Sequence, residues 1–245
     1  MNSALSISKS GLKGLQTNLD ITSNNIANVN TIGFKEKNAN FQELLRNDVI
    51  SENRGIANGI SRGTKITQGQ NNNKQGSLIS SNHPFDLAIS GEGFFGIRLP
   101  NNQLAYSRDG SFRFDSEGTL RNSAGNIVEI ALSVPKNDWP EGIPSINEKG
   151  MISVAGMPVG EIPIFNGDLS EQLIDIGNNQ YVLPNGRIAE RLDNPEINQF
   201  YLESSNVNLA DSMSEMILTQ RAYSMNTKVL QSTDEMMQRI NEFKQ

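Results

Sequence analysis

Cysteine is absent from all 245 residues, which excludes disulfide staples and thiol chemistry. Histidine occurs once, at His83. A zinc site built from histidine and cysteine therefore has no ligand set, and no metal or other cofactor is expected. A serine–histidine–acid triad would have to use a ring that directly precedes Pro84, and no G-x-S-x-G turn is present to expose the serine. No stretch of about 18 apolar residues occurs, so no membrane insertion is expected. The opening residues, MNSALSISKSGLKGL, lack the basic start and unbroken apolar run of a secretory signal peptide. Positive charge is scarce: 21 Lys and Arg against 27 Asp and Glu give a net charge of −6 and a pI near 5.0. Such a balance argues against nucleic-acid binding by phosphate neutralisation. Aromatic residues make up only 6% of the chain and apolar residues 36%, so a single deep core is not strongly implied.

Helix breakers are missing from the ends. All nine prolines lie between Pro84 and Pro195, and the 59 residues after Gly186 hold no glycine. Both termini therefore read as helical. At the start, Leu5, Leu12, Leu19 and Ile26 recur every seven residues, with Leu15 and Val29 three residues after members of the series. Ser8 and Thr22 interrupt this stripe. At the other end, Leu209, Met216, Tyr223, Leu230 and Met237 form a second heptad series, with Ala222, Val229, Met236 and Phe243 beside it. Asn208 followed by Asp211 marks the start of a helix of about 35 residues, roughly 50 Å long. The two stripes can meet only if the chain leaves and returns around an inserted module. Packing of each helix onto the central region instead stays open at this point.

Between the stripes lies NNIANVNTIGFK, residues 24–35. Asparagine disfavours helix interiors because its amide competes for backbone hydrogen bonds. The reading is a helix end near Ile32, with Gly33 left-handed at C′ and Phe34 at C″ touching Val29, a Schellman close. The amides of Asn24, Asn25 and Asn28 would then pair with helix carbonyls or with a neighbouring helix. Residues 51–82 contain five glycines and no aromatic residue. They read either as a flexible linker or as an arm that orders against a partner through Ile56, Ile60, Ile66 and Ile79.

From Pro84 the pattern turns to strands. Phe85, Leu87 and Ile89 alternate, as do Leu104 and Tyr106 and then Phe112 and Phe114, around a hairpin signal at Asp109-Gly110. Glu117-Gly118 and Ala124-Gly125 read as further turns. Residues 134–165, with five prolines and Trp139, read as long loops or short edge strands. Gly91 to Gly96 spells G-x-G-x-x-G, and Asp115 stands where a ribose-binding acid would be expected. The dinucleotide fingerprint needs a helix at the third glycine, whereas here Ile97, Arg98 and Leu99 run into Pro100. Turns and close strand packing explain those glycines better. The carboxylates of Asp115 and Glu117 lie in a turn, and nothing singles out a catalytic pair.

The asparagine pairs closed by glycine, an aromatic residue and lysine (Asn24, Asn25, Ile26, Ala27, Asn28, Asn30, Thr31, Gly33, Phe34, Lys35) resemble the N-terminal signature of the bacterial flagellar rod and hook family of axial proteins. Residues 202–240 are similar to that family's C-terminal helix, most closely in its distal rod branch. HPFDLAISGEGFFGI and YSRDGSFRFDSEGTL resemble the distal rod and hook branch as well. The resemblance implies an α+β fold: N- and C-terminal helices pairing as a coiled coil, with an inserted, mainly antiparallel β domain. The boundaries would be 1–35 for the first core helix, 36–83 for an extended arm, 84–195 for a β-rich outer domain and 196–245 for the second core helix. It implies a structural subunit, not an enzyme, exported through the flagellar type III apparatus to the basal body. There it would stack into a hollow shaft that passes torque from motor to hook. The implied partners are copies of itself, other rod proteins, hook protein and the surrounding rings.

Leu5, Leu12, Leu15, Leu19, Ile26, Met216, Tyr223, Leu230 and Met237 are the expected inner-layer contacts. Asn24, Asn25, Asn28, Val29, Gly33 and Phe34 complete the expected assembly interface. A proximal rod or hook subunit is the alternative within the family. A carbohydrate-binding or adhesive β protein with helical tails is the alternative outside it.

Overall fold

The computed structural model describes residues 2–45, 61–166 and 173–242. Ile56, Ile60 and Phe243 of the expectations above lie outside the described residues. The chain divides into two units, each built from separated pieces.

The first unit comprises Met1–Ala27, Lys37–Gln70 and Asn208–Gln245. It holds α1 (Asn2–Ala27), β1 (Lys37–Leu45), β2 (Ser61–Asn71) and α2 (Leu209–Glu242). The helices from the two ends of the chain lie against each other, as the heptad stripes imply. Asn208 starts α2: its Oδ1 accepts the backbone N–H of Ala210 at 3.0 Å and of Asp211 at 3.4 Å. Thirty-four residues without glycine or proline then run as one helix. Residues 196–199 and 201–203, placed in the terminal core helix by the sequence reading, are strands instead, joined by a turn at Phe200. β1 and β2 pair as a two-stranded sheet, so these parts of the arm are ordered by pairing with each other. Ile66 of β2 sits over Gly14 of α1, where a Cβ would lie 2.8 Å from the isoleucine Cδ1.

α1 ends at Ala27, five residues before the expected stop, and residues 28–33 form turns. Gly33 does take the left-handed conformation, with φ +67°. Its N–H, however, donates to the Glu203 carbonyl at 2.8 Å rather than to a helix carbonyl. No Schellman close forms at Gly33, because a strand distant in sequence supplies the acceptor that local geometry would have taken from the helix.

The second unit, Asn28–Glu36 with Asn71–Val207, carries the remaining strands. They are β3 (Leu78–Ser80), β4 (Leu87–Ser90), β5 (Phe94–Arg98), β6 (Leu104–Ser107), β7 (Arg113–Phe114), β8 (Leu120–Arg121), β9 (Ile127–Val128) and β10 (Ala131–Leu132). After them come β11 (Ser145–Ile146), β12 (Met151–Val154), β13 (Met157–Glu161), β14 (Ile164–Phe165), β15 (Ile174–Gly177), β16 (Gln180–Val182), β17 (Glu196–Gln199) and β18 (Tyr201–Glu203). Every pairing between them is antiparallel. The largest sheet has the order β15-β16-β6-β5-β9-β8-β7, with β14 also on β5. A second sheet has the order β10-β13-β12-β11. Central β5 is buried on both faces: Phe95 joins a core with Leu87, Phe112, Ile152 and Ile164, while Phe94 joins a smaller one with Tyr106, Phe165 and Tyr181.

The glycine run before and within β5 opens no helix. Gly91 and Gly93 have positive φ, and a Cβ on Gly96 would lie 2.4 Å from the Phe165 ring. Two other expectations need correction. Asp109-Gly110 is not a hairpin turn, because β6 pairs with β5 and β16 while β7 pairs with β8. Gly110 is required instead by close approach: a Cβ there would lie 1.7 Å from the Leu87 carbonyl oxygen, whose own N–H bonds to Gly110. Residues 134–165 do hold short strands among loops, but β12 and β13 are interior to the second sheet rather than edge strands. Alternation of Ile152 and Val154 with outward Met151 and Ser153 places that sheet on the core.

Candidate assembly interface

Within the first unit, the line of α1 most deeply covered is Gly14, Asn18, Thr22 and Asn25. Their spacing of four, four and three residues defines one helix face. The matching positions on α2 are Ser212 and Thr219. Asn18 Nδ2 donates to Thr219 Oγ1 at 3.1 Å and to Glu215 Oε1 at 3.3 Å, and Asn226 Nδ2 donates to the Ser8 carbonyl at 3.3 Å. The seam is thus small and polar. Small side chains let the helix axes approach, and paired amides fix one register at a modest net gain of about 0.5–1.5 kcal/mol each.

The leucine stripe flanks this seam. Leu12, Leu15, Leu19 and Ile26 are half-buried, and Leu12, Leu19 and Ile26 sit about a quarter-turn away from Asn18 at 3.6 residues per turn. On α2, Met216 and Leu230 are half-buried and Tyr223 is 36% exposed. The Leu5 and Met237 side chains lie outside those described. A further apolar line, Leu218, Met225, Val229 and Met236, is between 55% and 66% exposed. It lies about a third of a turn from the seam. Both helices therefore carry apolar surface that this chain does not cover.

The amides serve more than one role. Asn24 is exposed. Asn25 is used within its own unit: Nδ2 donates to the Lys37 carbonyl at 2.8 Å, and Oδ1 accepts the Lys37 N–H at 2.9 Å. That reciprocal pair ties the last turn of α1 to the start of β1.

In the second unit, Asn28 accepts the Thr31 hydroxyl at 3.1 Å, Val29 is half-buried, and Gly33 and Phe34 are buried. Next to them, Lys35 forms a cluster that sequence reasoning missed. Lys35 Nζ donates to Glu203 Oε1 at 2.7 Å and to the Lys74 carbonyl at 2.8 Å. Glu203 also accepts the Gly76 N–H at 2.9 Å and Arg108 Nη1 at 3.2 Å, and Arg108 Nη2 reaches the Gly91 carbonyl at 2.7 Å. All three side chains are at most 5% exposed. Burial holds both the Lys35 ammonium and the Arg108 guanidinium below their ordinary values, with Glu203 partly offsetting the loss of solvation. One carboxylate thus joins the glycine–phenylalanine–lysine turn, the 73–76 segment and the residue that follows β6 to β18. Nothing local marks Glu203, which stands in the sequence as an ordinary acid after Leu202.

No cluster of acidic or histidine side chains suited to a metal occurs among the described residues. Among the described residues, no helix is long and apolar enough to cross a membrane.

Comparison with known proteins agrees with the geometry. Residues 5–35 match the family described as "Flagella basal body rod protein". Residues 88–154 match "Flagellar hook protein FlgE/F/G D1 domain", and residues 198–243 match "Flagellar basal body rod FlgEFG protein C-terminal". The chain is 36% identical to the flagellar basal-body rod protein FlgG of Borreliella burgdorferi, over 100% of this chain and 99% of that one. It is 34% identical to FlgG of Buchnera aphidicola from Baizongia pistaciae, over 97% and 98%, and 33% identical to FlgG of Bacillus subtilis, over 94% and 95%. The paired terminal helices, the inserted antiparallel β unit and these full-length likenesses place the chain in the FlgEFG family of flagellar basal-body rod proteins, structural subunits rather than enzymes.

Proposed function

We propose that this rod subunit assembles with copies of itself into the shaft of the basal body, its two helices completing an inner layer with helices of neighbouring copies. The observation that carries this reading is the uncovered apolar line Leu218, Met225, Val229 and Met236 on α2. Single exposed apolar side chains are ordinary, but four in register along one helix face mark a surface that meets another. The flanking Leu12, Leu15, Leu19 and Ile26, half-buried in the single chain, add a partly uncovered apolar surface on α1. Heterologous contacts that do not close give a helical tube, which spreads shear over many interfaces when torque passes along it.

We further infer a distal position in the rod, adjoining the hook. The full-length likeness to relatives named FlgG supports this position. Hook protein, the surrounding rings and the type III export apparatus follow from it as partners.

The test is Leu218→Asp combined with Met225→Asp in a host that lacks its own copy. The folded content of the purified chain is expected to stay unchanged, while basal bodies in electron micrographs lose rod length and hook. Normal motility in that double variant would overturn the reading.

A further inference from the structure

The second unit is strongly acidic. It contains ten Lys or Arg against eighteen Asp or Glu, a net charge of −8. Several of its cations are paired within the unit: Lys35 and Arg108 with Glu203, Arg98 with Glu129, Arg113 with Asp86, Arg121 with Asp115, and Lys136 over the Trp139 ring at 4.4 Å. Three of its arginines converge. Arg98, Arg187 and Arg191 line one open pocket of about 570 Å³, between the β5–β6 hairpin and residues 186–191.

Leu104 and Phe165 provide apolar lining, and Glu129 is the one carboxylate among the lining residues. Glu129 is occupied by Arg98, with Nη2–Oε2 at 2.7 Å and Nε–Oε2 at 3.2 Å. Arg98 Nη1 also reaches Asn102 Oδ1 at 3.0 Å. That pair is charge-neutral and fixes one wall. Arg187 and Arg191 are exposed, and Arg191 has no ion pair among the described residues. The pocket is therefore a basic concavity on an acidic unit.

We propose that this pocket receives a carboxylate side chain from the acidic unit of a neighbouring copy of the same chain. Planar guanidinium forks match carboxylates in a bidentate way, and a partly enclosed site strengthens the pairing over one in open water. Copies packed side by side would otherwise set one −8 surface against another. A basic socket replaces part of that repulsion with attraction and favours one way for adjacent units to meet. The inference rests on the self-assembly reading above and names one of its contacts.

The test uses basal bodies isolated from a host expressing either of two double variants. Arg187→Glu with Arg191→Glu is expected to lower the amount of chain retained in basal bodies about tenfold, with an unchanged melting profile of the purified protein. Arg187→Lys with Arg191→Lys keeps the charge and supplies amines. Carbodiimide treatment of those basal bodies is expected to yield a dimer joined by an amide bond from position 187 or 191 to an Asp or Glu of another copy. Normal retention of the glutamate variant, or cross-links confined to the same chain's Glu129, would overturn the socket and leave self-assembly standing. A wild-type chain missing from isolated basal bodies would overturn both.

Discussion

Glu203 shows how much one residue can decide. It accepts from Lys35, Arg108 and the Gly76 amide while 1% exposed. Glu203→Gln would leave two buried cations without a counter-charge, and is expected to cost about 3–5 kcal/mol in denaturant unfolding of the full chain. Gly33 is constrained by position rather than by chemistry. A Cβ would lie 2.5 Å from the Arg108 carbonyl carbon, at φ +67°. Gly33→Ala should cost roughly 1–2 kcal/mol from the backbone alone, with the clash in addition, read as a lowered melting temperature. Asp115 responds to pH. The Arg121 side chain first, then the Thr119 amide, hold its carboxyl below the ordinary value. Its contribution is complete above the unfolded carboxylate value and is lost as pH falls through the lower folded one. Protection of the Glu117 and Thr119 amides from hydrogen exchange, relative to the intrinsic rate at each pH, should therefore fall in acid, and Asp115→Asn should remove that dependence.

At the level of elements, the pairing of α1 with α2 follows a line that hydrophobic periodicity does not report. The heptad leucines mark the right helices and the right ends, yet the deeply buried positions are Gly14, Asn18, Thr22 and Asn25. A hydrophobicity pattern weights large apolar side chains, whereas close approach of two helices favours small ones. The Asn18–Thr219 bond is the testable register pin. A double-mutant cycle of Asn18→Ala and Thr219→Val, followed by the melting of the helical circular dichroism signal, should give a coupling of about 0.5–1.5 kcal/mol. Strand-level reading did well where a turn is local. Glu117-Gly118 and Ala124-Gly125 join β7 to β8 and β8 to β9, with Gly118 and Gly125 at positive φ. It failed at Asp109-Gly110, where the Leu87 backbone, not hairpin geometry, demands the glycine.

For the whole molecule, the division of apolar burial sets the order of stability. The second unit encloses two aromatic-rich cores, whereas the helix seam of the first is polar and leaves apolar lines uncovered. In the free chain, the amides of α1 and α2 should exchange faster than those of β5 and β6. On incorporation into basal bodies the helix amides should become protected. Equal protection of helices and sheet in the free chain would count against the view that neighbouring copies complete the helical layer.

By itself the sequence determined the kinds of element and their order. Breaker-free ends, heptad spacing and a proline-rich middle are local properties, and they set two long helices around an antiparallel insert. The absence of cysteine and the single histidine likewise left no thiol or zinc chemistry to argue for. Tertiary structure alone decided which side chains meet. That Lys35 finds Glu203, 168 positions later, that Gly33 bonds to that same residue, and that three arginines line one pocket all depend on distant backbone segments arriving together. The physical reason is range. Propensity and periodicity act over a few residues, whereas burial of charge and close approach of backbones exist only once the chain has returned upon itself.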